Sequence, residues 1–194
     1  MSVVVGRRGF RVASVLRGGS LPQHRDSEYN NTNTSFEWTE ESKKEAQRIL
    51  SKYPSNYKQS AIIPLLWLAQ RQNNNWVSLA AMNRIAEMVQ VAPIRVFETC
   101  SFYTMFNREP VGKYHIQLCG TTPCQLCGAE DIMKAIQEEI GIGHGETTED
   151  ELFTVTEVEC LGACVNAPMI QVNDDFFVRE VCFCSDVIQG GFDT

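Results

Sequence analysis

The sequence lacks any long apolar run. Its longest, Ala61–Ala69, is nine residues and contains Pro64, whereas a bilayer-spanning helix takes ~20 apolar residues. No transmembrane segment is expected. Positive charge is also scarce: 17 Lys+Arg stand against 24 Asp+Glu, a net charge of −7 and a pI near 5.0. The basic stripe of a nucleic-acid-binding surface is therefore missing. Nothing reads G-x-G-x-x-G after a strand; Gly141-Ile142-Gly143-His144-Gly145 follows a helical segment and reads as a helix-ending loop, so no dinucleotide site is expected on this chain. The three histidines, His24, His115 and His144, lie too far apart in sequence to suggest a shared metal site, and His115, within a strand pattern, reads as structural. With 43% hydrophobic and 21% charged residues over 194 positions, neither a disordered nor a collagen-like chain fits. Cysteine is what the chain has in excess, with eight.

Charge is unevenly distributed. Residues 1–25 hold five of the arginines (Arg7, Arg8, Arg11, Arg17, Arg25), three serines and no acid, the composition of a mitochondrial transit peptide. No continuous apolar stretch there is long enough for a secretory signal. Without that arm the remaining chain is far more acidic than the whole. A matrix location is reducing, which argues against a disulfide framework and for metal or redox chemistry at the cysteines.

After a polar segment, residues 26–35, that reads as a linker, helical signals begin. Thr39 caps a helix over Glu40–Lys52, with Glu40 and Glu41 in its first turn, and Tyr53-Pro54 breaks it. A second helix runs from Tyr57 to Gln72, with Ile62, Ile63, Leu66, Trp67 and Gln70 spaced by threes and fours; Pro64 starts or kinks it. Asn73-Asn74-Asn75 ends it. Ser78 caps a third helix with Met82, Ile85 and Val89 on one face, and Pro93 opens a fourth, Ile94 to Tyr103. Residues 36–110 thus read as a helical bundle. The aromatic run Phe102-Tyr103-Thr104-Met105-Phe106 at its end is read as buried packing in preference to a partner-facing patch.

From Gly112 the period changes. A strand at Tyr114–Leu118 leads into a Cys-rich loop and a helix, Glu130–Ile140, closed by Gly141. A strand at Leu152–Glu159 leads into a second Cys-rich loop, then come a strand at Met169–Val172, a turn at Asn173-Asp174 and a strand from Phe176. Residues 111–181 form a small α/β domain, and the chain as a whole reads as α+β.

The cysteine pattern is Cys119-x4-Cys124-x2-Cys127 and, after 32 intervening residues, Cys160-x3-Cys164; Cys100, Cys182 and Cys184 lie outside it. Cys124-x-x-Cys127 between a strand and a helix fits a thioredoxin-type dithiol. That reading leaves Cys119, Cys160 and Cys164 without a task. A zinc site could pair Cys119/Cys124 with Cys160/Cys164. An iron–sulfur cluster uses the same thiolates, held in small-residue loops whose N–H groups approach the sulfurs, and Gly120-Thr121-Thr122-Pro123 and Leu161-Gly162-Ala163 suit this. Spacing admits two cluster ligand sets: Cys119, Cys124, Cys127 and Cys160, in the plant-ferredoxin manner, or Cys119, Cys124, Cys160 and Cys164.

Two segments, Gly112-Lys113-Tyr114-His115-Ile116-Gln117-Leu118-Cys119-Gly120-Thr121-Thr122-Pro123-Cys124 and Val158-Glu159-Cys160-Leu161-Gly162-Ala163-Cys164-Val165-Asn166-Ala167-Pro168, closely resemble the 24 kDa flavoprotein subunits of mitochondrial NADH:ubiquinone oxidoreductase, respiratory complex I. Leu68-Ala69-Gln70-Arg71-Gln72 and Ser101–Phe106 resemble the helical part of that family, and the likeness runs from about Phe36 to Phe177. The resemblance implies a helical region followed by a thioredoxin-like domain carrying one [2Fe-2S] cluster, with ligands at Cys119, Cys124, Cys160 and Cys164; Cys127 falls at a position that is not a ligand. It implies an electron-transfer subunit of an oxidoreductase with no complete active site of its own. Its partners would be the 51 kDa flavin-bearing subunit, where NADH is oxidised, and other subunits of the peripheral arm, on the matrix side of the mitochondrial inner membrane. A zinc-stabilised structural subunit and a stand-alone dithiol protein are the competing readings. After Phe177 the chain departs from the family, and residues 182–194, with Cys182 and Cys184, read as an atypical tail in place of a closing helix.

Overall fold

The computed structural model describes residues 26–178. The transit-peptide segment and the atypical tail, with Cys182 and Cys184, lie outside the described residues.

Four helices come first. Helix α1 (Glu40–Ser51) starts at Thr39, whose side chain accepts a hydrogen bond from the Ser42 N–H. A 3-10 turn, Lys58–Ala61, leads into α2 (Ile62–Gln72). Pro64 therefore stands in the first turn of α2, where its missing N–H costs nothing, and the kink that a mid-helix proline would impose does not arise. Asn74 and Asn75 end the segment at positive φ. Helix α3 (Leu79–Val89) is capped by Ser78, which accepts from Ala81 N, and α4 (Pro93–Phe102) has its proline in the first turn. The inward faces of these helices form one core around Leu65, Leu66, Ile85, Val96 and Cys100.

Two sequence expectations change here. The segment read as a linker is docked at one point: Asn30 is only 5% exposed, its Oδ1 accepts from the Leu79 N–H at 2.9 Å, and Tyr29 sits edge-on to Trp76. A polar composition did not reveal that one amide satisfies an otherwise orphaned helix N-terminal donor. The aromatic run also divides. Phe106 is buried against Trp67, but Phe102 is 77% exposed and Tyr103 is also exposed, because the helix ends at Phe102 and turns the two rings outward against each other.

The second part is a five-stranded sheet of order β2-β3-β1-β4-β5. Strand β1 (Tyr114–Cys119) pairs in parallel with β3 (Phe153–Val158), and the crossover between them carries the short helix α5 (Thr122–Leu126) and helix α6 (Ala129–Ile140). Strands β2 (Glu146–Thr147), β4 (Met169–Val172) and β5 (Asp175–Val178) add antiparallel pairings. Ile116, Leu118, Val155, Ile170 and Val172 share one face and pack with Ile132 and Ile136 of α6 into a second core. The alternate residues, among them His115, Gln117, Thr156 and Gln171, form a polar face turned toward the helical part.

The two parts meet through polar contacts. Gln70 on α2 donates to Met105 O and accepts from Asn107 N; Asn107 donates to Asn75 O; Asn75 donates to Lys113 O; and Arg71 pairs with Asp174 at 2.8 Å. Between them lies an open groove of about 760 Å3, walled by Trp67, Arg71, His115, Gln117, Glu157 and Phe176 among others, and reaching Cys160.

Candidate iron–sulfur centre

Parallel pairing places the two Cys-rich loops side by side. Cys119 ends β1 opposite Val158, two residues before Cys160, so both chains leave the sheet at the same edge. Residues 120–128 read as loop in the sequence. The structure inserts α5 there, with Thr121 at its N-cap and proline in its first turn, a start signal legible in Thr121-x-Pro123. That turn buries Cys124 completely beside Cys119.

The thiols meet as two pairs. Cys119 and Cys124 lie close enough to act on each other's ionisation; Cys160 and Cys164 approach to 3.3 Å, Sγ to Sγ. Cys164 is close enough to both members of the first pair to act on their charges. Burial opposes ionisation of Cys119, yet its pKa is lowered, because the Thr121 hydroxyl at 3.2 Å and the Thr121 and Leu161 backbone N–H groups bond to the sulfur, and the neighbouring Cys124 acts in the same direction. Burial pushes Cys124 up to about 11, with its neighbour Cys119 adding to the shift. The Cys164 thiol is raised chiefly by its bond to Cys160. Gly162, at φ +88°, turns its N–H onto Cys160 Sγ at 3.4 Å, a conformation open to glycine at no steric cost. Cys127 is exposed at the C-cap of α5 and enters none of these contacts; Cys100 is fully buried in the helical core and inert, its thiol pushed up to about 11 by burial.

The donor set fits a binuclear cluster. Four thiols in two pairs at one edge of the sheet, with backbone N–H groups directed at the sulfurs, suit two irons that each take two thiolates. One zinc in a tetrahedron would need all four around one centre. The dithiol reading loses its geometry as well, since Cys124 is buried against Cys119 and Cys127 faces solvent.

Fold and site together define a thioredoxin-like protein built to carry a two-iron cluster. The chain belongs to the family described as thioredoxin-like [2Fe-2S] ferredoxin, which matches residues 46–181 and so takes in part of α1, all of α2 to α6 and the described sheet. It is 50% identical over 171 residues to NADH dehydrogenase [ubiquinone] flavoprotein 2, mitochondrial, of Dictyostelium discoideum, covering 88% of this chain and 69% of that protein. It is 51% identical over 146 residues to a subunit of the NADH-quinone oxidoreductase of Rickettsia typhi, covering 75% of this chain and 86% of that one. Among solved structures, an NAD+-reducing [NiFe]-hydrogenase in the air-oxidized state shares the fold over 59% of this chain and 20% of its own, with a TM-score of 0.50 and 22% identity. This chain thus spans about a fifth of that hydrogenase chain.

Proposed function

We propose that this chain is an electron-transfer subunit of mitochondrial NADH:ubiquinone oxidoreductase, with Cys119, Cys124, Cys160 and Cys164 as the ligands of one [2Fe-2S] cluster. The observation that carries the ligand set is the meeting of two thiol pairs at one edge of the β1–β3 ladder, with Cys127 outside. When bound, the cluster supplies a one-electron donor and acceptor. The protein's part is to hold the thiolates, to direct the Leu161 and Gly162 N–H groups at the sulfurs and to keep water from Cys119 and Cys124.

The partner we assign is the 51 kDa flavin-bearing subunit, on which NADH would be oxidised. Leu126 and Val165, 83% and 87% exposed, flank the thiol loops and offer apolar side chains for its docking. The assembly would place this subunit in the peripheral arm on the matrix side of the inner membrane; among the described residues no helix is long and apolar enough to cross a membrane. A division into a helical domain up to residue 110 and a cluster domain from 111 is supported by the two separate hydrophobic cores.

Iron and sulfide analysis of the purified full-length chain tests this reading. Two irons per chain, a brown colour and a paramagnetic signal on reduction are expected; a colourless protein with one zinc overturns it. Cys164→Ser should abolish cluster assembly, whereas Cys127→Ser should leave iron content unchanged. The reverse pattern would replace our ligand set with the plant-type one.

A further inference from the structure

Glycine at position 120 follows directly on a proposed ligand, and its backbone does not require glycine: it is absent from the positive-φ residues. What requires it is a side chain. A Cβ built on Gly120 would collide with Glu157 Oε1 and lie 2.8 Å from both Cδ and Cγ of the same residue. The Glu157 carboxylate therefore lies across the peptide that joins Cys119 to Thr121. Its own backbone is held in place from the other side, because the Glu157 N–H donates to His144 Nδ1 at 2.7 Å, beyond the point where β2 stops pairing with β3.

Among the described residues no Lys, Arg or His lies in salt-bridge contact with Glu157. Across the groove the Arg71 guanidinium is engaged by Asp174, and Glu159, the other carboxylate on this wall, adds to the negative field. Reduction places a further negative charge on a cluster already ligated by four thiolates, so a carboxylate resting over a ligand loop, even a solvent-exposed one, disfavours the reduced form and lowers the potential. We propose that Glu157, admitted over the Cys119 loop by the absence of a side chain at Gly120, is a positioning residue for the electron transfer that holds the cluster's reduction potential down. This rests on the cluster assignment above and deepens it, since neither the thiol pattern nor the family likeness singles out Glu157.

The test is a redox titration of the cluster-loaded full-length chain, followed by the paramagnetic signal of its reduced state, with iron content measured in parallel. Glu157→Gln keeps the side chain's shape and removes its charge; the midpoint should move to more positive values with iron content unchanged. Gly120→Ala should move it in the same direction by displacing the carboxylate, a flexible chain end that can swing away. The double variant Gly120→Ala/Glu157→Gln should show no further shift beyond Glu157→Gln, because no charge is left to displace. Glu149→Gln, in the loop at the opposite end of β3, should leave the midpoint at the wild-type value. A loaded Glu157→Gln or Gly120→Ala chain with the wild-type midpoint, or additive shifts in the double variant, would overturn the proposal. Should the wild-type chain itself carry no iron, the cluster assignment fails instead.

Discussion

At the scale of single residues, burial decides what each titratable group does. His115 is enclosed between the two parts of the molecule. Its Nε2 lies 2.9 Å from Thr156 Oγ1 and its Nδ1 3.5 Å from the Asn107 amide nitrogen, a donor, so the neutral ring is satisfied on both sides. Burial lowers its pKa to about 4 from an ordinary 6.5. The unfolded chain therefore binds the extra proton first as pH falls. Stability is complete above pH 6.5 and is lost progressively between 6.5 and 4, by about 3 kcal/mol from this group at 1.36 kcal/mol per pK unit. His115→Gln should flatten that part of the stability–pH curve in denaturant titrations; an unchanged slope would show that other groups carry it. Strand alternation made His115 legible as a structural residue. Its enclosure was not legible, because it depends on Asn107, which reaches it from the segment joining the two parts.

At the scale of elements, short-range chemistry explains why the helices could be read from the sequence. Thr39, Ser78, Pro93 and Gly141 occupy the caps and first turns that the sequence assigned to them. The misses are short pieces: the two-residue β2, the 3-10 turn at Cys164–Asn166 and the five-residue α5. Each is held by neighbours and has too few residues to show a period. Helix α3 offers a test with opposite signs at its two ends. Ser78→Ala removes the bond to Ala81 N and should destabilise the protein by ~1 kcal/mol. Gln90, the C-cap, sits in the left-handed region at φ 60°, where a side chain costs roughly 1 kcal/mol. Gln90→Gly should accordingly stabilise, and paired denaturation midpoints for the two variants check both signs.

At the scale of the whole molecule, the helical part and the sheet are joined by amides. Gln70 is the central one, buried at 5% exposure and bonded at both ends of its amide to Met105 O and Asn107 N. The exposed Arg71–Asp174 pair adds little by comparison, as solvent-screened pairs do. Gln70→Leu keeps the volume and strands both backbone groups, so a loss of roughly 1–3 kcal/mol is expected. Amide exchange at Asn107 should accelerate more than exchange in the core of α3; uniform acceleration would mean that the junction has no local stability of its own.

The sequence by itself determined the longer helices, the main strands, the α+β class and the set of cysteines that are candidates for ligands, because caps, turns and apolar periods act over a few residues. It left two cysteine sets open on spacing, since Cys127 and Cys164 stand at equally plausible intervals, and only family likeness separated them. The tertiary structure brought the two thiol pairs together, set Cys127 outside them, docked Asn30 on α3 and laid Glu157 across Gly120. Each of these depends on which strand lies beside which. The parallel pairing of β1 with β3 joins residues some forty positions apart, and no local pattern carries that information.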